Sequence, residues 1–278
     1  MCDTMGDFLP NLWRNFIADL IPFVAAAAIV VITIAYYFWR KQHAFDEELF
    51  KQPPPRGECP ICFLKMPLLS KEMWYRACCG KVMCIGCHYA MKKNRRICPF
   101  CRTPSAASNE WMKKLMKRVE LNDAVAIYSL GCQYNTGRSG LEQDNKKAIE
   151  LWLQAGELGH VAAYNSVGYA YNNGRGAKRD AKNAKYYYEL AAMGGDVCAR
   201  HNLGILEKRA GNMTRAMKHF MISAAGGHVT TLKEIRECYL DEDATKDEFE
   251  KALRAHKEAK DEMTSDQRDA AAAFYGEN

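Results

Sequence analysis

Eight of the 12 cysteines fall between Cys59 and Cys101. The other four, Cys2, Cys132, Cys198 and Cys238, are scattered singly. A disulfide framework tends to recruit every cysteine, whereas a metal site needs a local cluster of paired thiolates. The order is Cys59-Pro-Ile-Cys62, then Cys78-Cys79 and Cys84-Ile-Gly-Cys87, then Cys98-Pro-Phe-Cys101. Zinc takes four ligands in a tetrahedron, so eight thiolates suit two closed structural Zn2+ sites with no place for a reactive water. So short a segment has few large apolar side chains, and zinc contributes most of its folding energy, about 10–16 kcal/mol for small zinc modules. Free thiolates in this number imply a reducing compartment.

With the cysteines placed, the formal charge of +6 can be placed too. From Arg40 to Leu121 stand 17 Lys and Arg against 7 Asp and Glu, while residues 122–262 are balanced. Lys92, Lys93, Arg95 and Arg96 form a basic cluster without interleaved aromatics for base stacking, so nucleic acid is not an expected partner. The excess lies beside the thiolates, whose negative charge offsets it.

Ahead of the cysteines, Leu20 to Trp39 contains no formal charge. Such a run is long enough for a helix to cross a bilayer core of about 30 Å. Tyr36, Tyr37 and Trp39 gather at one end and Arg40 and Lys41 follow. Aromatic belts and the positive-inside rule then predict a single-pass membrane protein with its C-terminal domains in the cytosol. Pro53-Pro54-Pro55 marks a stiff linker after it.

The cysteine pattern, ending in Cys98-Pro-Phe-Cys101-Arg102, resembles the RING finger family. The resemblance covers residues 58–103 and implies an interleaved topology. Cys59, Cys62, Cys84 and Cys87 would hold one zinc, and Cys78, Cys79, Cys98 and Cys101 the other. Lys81 stands where most RINGs carry a histidine ligand, which makes this an all-cysteine variant, with His88 as the alternative ligand. RING domains are ubiquitin ligases that position a ubiquitin-loaded conjugating enzyme without a covalent intermediate. The resemblance implies docking through Ile61 and Pro99 and ubiquitin positioning through Arg102, whose planar fork suits two partners. The tryptophan that many RINGs carry before the seventh ligand is absent; the chain reads Lys93-Asn94-Arg95-Arg96-Ile97 there.

The C-terminal half repeats itself. Leu130-Gly131, Val167-Gly168 and Leu203-Gly204 recur, as do Ala148, Ala184, Ala216 and Ala252, and Gly159, Gly195 and Gly227. A period of about 32–37 residues with two helical halves predicts an α-solenoid. Gly174-Arg175-Gly176, Ala184, Tyr186, Ala191, Ala192 and Gly195 are similar to Sel-one-like repeats, which are related to tetratricopeptide repeats. Tyr164, Tyr171, Tyr186, Tyr187 and Tyr188 are candidates to line a groove, although at helical spacing they also suit a core.

The expected fold is therefore mainly α: a single transmembrane helix, a small two-zinc RING module and an α-solenoid of Sel-one-like helix pairs. The expected divisions are an N-terminal tail and anchor at 1–45 (span 20–39), a proline linker at 46–57 and the zinc finger at 58–103. A connecting helix at 104–121, four repeat units at 122–262 and a C-terminal helix or tail at 263–278 complete them. The expected function is a membrane-anchored RING-type ubiquitin ligase. Its expected partners are a ubiquitin-conjugating enzyme, ubiquitin, a substrate or adaptor on the repeats, and the lipid bilayer. The alternative is a non-enzymatic membrane scaffold with a structural RING-like module.

Overall fold

The structure, a computed structural model, describes residues 8–68, 72–91, 97–104 and 108–276, without the side chains of 8–27, 108–109 and 276. It divides into two compact units, Met1–Lys51 and Gln52–Asn278.

The first unit carries helix α1, Phe8–Leu49. Among the described residues no helix is long and apolar enough to cross a membrane. This corrects the expected transmembrane helix, the single-pass location and the bilayer as partner. Part of the expected span, 20–27, lies outside the described side chains. The same helix then runs on through Arg40, Lys41, Asp46, Glu47 and Glu48.

The second unit begins with the cysteine-rich module. Strands β1 (Met73–Arg76) and β2 (Lys81–Cys84) form an antiparallel hairpin in which Met73 faces Cys84 and Arg76 faces Lys81. The turn between them carries Cys78 and Cys79, and Gly80 closes it at φ 73°. Helix α2 (Ile85–Ala90) follows directly, with the Cys84 sulfur accepting the Cys87 N–H at its start. Two further loops close on themselves through the bridges Glu58↔Lys65 and Ile97↔Pro104.

Helix α3 (Ser108–Glu120) leads into four helix pairs. These are α4/α5 (Ala124–Thr136, Asn145–Glu157), α6/α7 (Val161–Asn173, Ala181–Met193), α8/α9 (Val197–Arg209, Met213–Ala225) and α10/α11 (Val229–Leu240, Lys246–Met263). Helix α12 (Asp266–Gly276) ends the chain. Asp123, Asp144, Asp180 and Asp196 each cap a helix by accepting backbone N–H bonds.

The recurring glycines have two separate physical reasons. Gly131, Gly168 and Gly204 sit in the first helices, where an aromatic ring of the second helix lies across them. A Cβ on Gly131 would stand 2.7 Å from the Trp152 ring, and one on Gly168 2.6 Å from Tyr188. Phe220 occupies the same place against Gly204. Gly159, Gly195 and Gly227 instead follow the second helices in the left-handed region, at φ 91°, 93° and 88°. There His160 N–H bonds Ala155 O and Gly159 N–H bonds Gly156 O, and the other two turns repeat this pair. This is the Schellman closure, which consumes two orphan carbonyls at each helix end.

The cysteine-rich module touches both ends of the solenoid. Tyr75 Oη donates to Asp123 Oδ2 at 2.8 Å, and Ala77 is buried with Leu115, Ala126 and Leu130. At the other end α12 packs along α2, with Phe274 and Tyr275 against Tyr89. Helix α3 buries Leu115 completely and half-buries Trp111 and Val119, so it joins the module to the first repeat.

Candidate metal centre and docking surface

The chain brings its eight clustered cysteines into two groups. Cys59, Cys62, Cys84 and Cys87 have their sulfurs within 4.8 Å of one another, and so do Cys78, Cys79, Cys98 and Cys101. All eight are free thiols. Each group joins one loop to the hairpin or helix, so the two are interleaved along the chain. Cys59 to Cys87 is 3.8 Å, Cys62 to Cys84 3.8 Å, Cys79 to Cys98 3.7 Å and Cys78 to Cys101 3.5 Å. A tetrahedron with Zn–S bonds of about 2.3 Å has edges of about 3.8 Å, so the spacing fits a four-thiolate ion.

Why do the loops hold this shape? In the first, Cys59 N–H bonds Leu64 O at 2.9 Å and Phe63 N–H bonds Cys59 O at 2.9 Å. In the second, Cys98 N–H bonds Thr103 O at 2.8 Å and Arg102 N–H bonds Cys98 O at 3.0 Å. The residue four places after the first cysteine of each loop is left-handed, Phe63 at φ 59° and Arg102 at φ 57°. The two loops are thus the same turn made twice, and neither uses glycine where glycine is favoured. Two adjacent cysteines, Cys78 and Cys79, reach one group because they occupy the hairpin turn, where Cys79 and Gly80 both bond back to Arg76 O.

The thiols of each group differ in how readily they ionise. Burial raises the Cys59 thiol, but the backbone N–H groups of Cys84, Cys62 and Ile61 outweigh it and bring it to about 7. For Cys98, burial is likewise outweighed by the N–H groups of Cys101 and Phe100 and by Arg76, down to about 6. Burial and the neighbouring sulfurs push Cys78 up to about 12 and Cys87 up as well. A group of four therefore ionises fully only when a positive ion compensates the crowded thiolates. The residues present fit a divalent ion in each group, and zinc is compatible with an all-sulfur set.

His88 belongs to neither group. It is 6% exposed and lies flat on Trp74, ring centroids 3.8 Å apart and planes 7° from parallel. Lys81 opens strand β2 and is exposed. The basic residues 92–96 lie outside the described residues.

Of the three expected docking residues, Pro99 and Arg102 are exposed on the second loop. Ile61 is half-buried and packs with Met91 and Phe100 against the buried Cys59, Met83, Cys84 and Cys87. Met91 and Phe100 are additions that pattern reading missed. Phe63 at 73% and Ile97 at 51% exposed flank the same two loops and extend their apolar edge. Their signal is the sequence neighbourhood of the ligand pairs, where large apolar residues have no core to fill.

The repeats hold a cavity of about 260 Å³, lined in part by Tyr128, Asn135, Trp152, Asn165, Tyr169 and Arg175. The tyrosines singled out from the sequence are placed elsewhere. Tyr188 is buried over Gly168, and Tyr187 stacks with Tyr164 and Tyr171 at 6.2 and 5.7 Å. Apart from Arg175, on the turn after α6, the polar lining side chains come from first helices, where Asn165 and Asn202 bond each other at 2.9 Å across adjacent repeats.

A Sel1 repeat model matches residues 124–160 and 161–196. Over 119 residues the chain is 29% identical to the ERAD-associated E3 ubiquitin-protein ligase component HRD3B of Arabidopsis thaliana, covering 42% of this chain and 18% of that protein. Over 54 residues it is 44% identical to the E3 ubiquitin-protein ligase GW2 of Oryza sativa subsp. indica, covering 18% of this chain and 12% of that one. The chain spans less than a fifth of the length of these curated relatives. The crystal structure of a Sel1 repeat protein from Oxalobacter formigenes superposes with a TM-score of 0.51 at 27% identity, covering 64% of this chain and 71% of that one. Residues 124–196 thus match two Sel1 repeats, and the helical array as a whole is similar in fold to that Sel1 repeat protein.

Proposed function

We propose that the chain is a RING-type ubiquitin ligase whose cysteine module binds two Zn2+ and holds a ubiquitin-loaded conjugating enzyme, while the repeats recruit a substrate or adaptor. The observation that carries this reading is the pair of interleaved four-sulfur groups with an exposed edge of Ile97, Pro99 and Arg102 on the second loop. The names of the relatives, a ubiquitin ligase and a ligase component, support the same reading.

Zinc bound by four thiolates would supply cross-linking alone, because a closed site leaves no position for water. The chemistry is then one of positioning. Ile61, backed by Met91 and Phe100, offers an apolar seat, and Pro99 stiffens the rim beside it. Arg102 carries a charged fork on a backbone held in a left-handed turn, so its side chain leaves the loop in one direction. That arrangement suits a group bridging ubiquitin and its carrier.

The test is autoubiquitination with purified components. Wild type should build chains, and Ile61→Ala or Arg102→Ala should cut the rate sharply. Wild-type inactivity with a broad panel of conjugating enzymes would remove the ligase reading. A second reading, a non-enzymatic adaptor, is favoured by the longer match, which is to a protein named a ligase component. It predicts a chain that assembles with a ligase but never speeds ubiquitin transfer itself.

A further inference from the structure

Arg268 lies on helix α12, 206 residues along the chain from Cys62, yet its Nη2 stands 3.7 Å from the Cys62 sulfur. The same nitrogen donates to Leu64 O at 3.5 Å, and Nη1 donates to Lys65 O at 2.7 Å and Met263 O at 2.6 Å. The residue is 7% exposed. The guanidinium thus joins the first cysteine loop, through two of its carbonyls and one of its sulfurs, to the end of α11.

The backbones meet as closely as the side chains. A Cβ on Gly86 of α2 would stand 2.7 Å from Arg268 Cγ and 2.9 Å from Arg268 N. Beyond this contact Tyr89 packs on Phe274 at 5.3 Å and His88 on Tyr275 at 6.4 Å. Helix α12 therefore covers the side of α2 that carries Gly86 and Tyr89. The Ile61, Met91 and Phe100 packing is a separate cluster, and Pro99 and Arg102 stay exposed.

Charge gives the contact a purpose. Four thiolates around one divalent ion leave two net negative charges, and Cys59, Cys84 and Cys87 are almost wholly buried. Buried net charge is costly unless a counter-charge meets it. The second group is wetter, with Cys101 exposed and Arg76 of its own hairpin beside Cys98. The first group takes its guanidinium from the far end of the chain instead.

We propose that Arg268 is the outer-sphere cation of the first zinc centre, positioning Cys62 and its loop and offsetting the thiolate charge, so that α12 is a working part of the zinc module. This rests on the two-zinc reading above. Partners of this kind typically change metal affinity by about 10- to 100-fold.

The experiment follows zinc transfer from the full chain to a chromogenic chelator, with cadmium NMR of the substituted protein to tell the two centres apart. The resonance lost in Cys62→Ser marks the first centre. Arg268→Gln should speed release from the first centre by about 10- to 100-fold and leave the second at the wild-type rate. Arg268→Lys keeps the charge without the fork and should recover part of the loss. Gly86→Ala favours the helix locally but pushes α12 off, and should copy Arg268→Gln. Wild-type release in Arg268→Gln, or equal acceleration at both centres, would overturn the proposal. A wild type that holds no zinc would instead remove the two-zinc reading itself.

Discussion

Arg102→Gly separates a docking role from a structural one. Arg102 sits at φ 57°, in the left-handed region, with its side chain exposed. A non-glycine residue there costs about 1–2 kcal/mol. Glycine removes that cost but gains freedom in the unfolded chain, worth about 0.4–1 kcal/mol against folding. The exposed side chain contributes little packing, so the two terms leave stability unchanged or higher by about 1 kcal/mol. For a unit of this size that is a rise of at most about 2–4 °C in Tm. Ubiquitin discharge should nonetheless fall by on the order of 10- to 100-fold, the scale of a lost positioning contact. The assays are a thermal melt of the zinc-loaded chain and single-turnover discharge of a loaded conjugating enzyme. Phe63→Gly is the companion, since Phe63 holds the same conformation in the first loop. Discharge at the wild-type rate in Arg102→Gly would refute the docking role. A Tm lowered by several degrees would show that Arg102 holds the loop together.

The repeat glycines predict two different losses. Gly168→Ala drives a methyl into the Tyr188 ring and should cost about 1–3 kcal/mol by chemical denaturation. Gly159→Ala meets nothing within 4 Å, so only its φ of 91° is penalised, by about 1 kcal/mol; equal losses at the two sites would contradict this division. Burial lowers His160 and His228 from 6.5 to about 4 and His219 to about 3. These rings are held neutral in the fold, and the unfolded chain takes up more protons between those values and 6.5. Stability is therefore complete above pH 6.5 and falls as pH drops from 6.5 towards 4. His160→Gln should flatten that slope in a Tm-against-pH series, and an unchanged slope would count against it. Zinc removal by a strong chelator should abolish the ordered hairpin and loops of the cysteine module while α4–α11 keep their helical circular dichroism.

Much of the molecule is legible locally, and the rest is not for a physical reason. Thiolates that share one ion must be paired along the chain, so Cys59/Cys62, Cys84/Cys87 and Cys98/Cys101 announce themselves. The first three repeats are legible because each ring over a first helix demands Gly131, Gly168 or Gly204, and each of their second helices ends on a left-handed glycine. Contacts between distant elements leave no such trace. Arg268 reads as an ordinary charge on a polar helix, and nothing near it in the chain points to Cys62. His88 reads as a surface residue until Trp74 of the facing strand covers it. The tyrosine cluster at 186–188 suggests a groove, but the period of α7 sends Tyr188 inward over Gly168, and first-helix side chains with Arg175 supply the polar lining. The apolar run before Arg40 suggests a membrane span, which the described helix does not meet in length and apolarity together.

The most direct test of the central claim is discharge of ubiquitin from a loaded conjugating enzyme onto free lysine. It would be measured with the zinc-loaded full chain across a panel of such enzymes. Wild type should accelerate discharge for at least one of them, and Ile61→Ala should bring the rate back towards that of the enzyme alone while still holding two zinc ions. No acceleration by a wild type carrying two zinc ions would contradict the ligase reading and leave the adaptor.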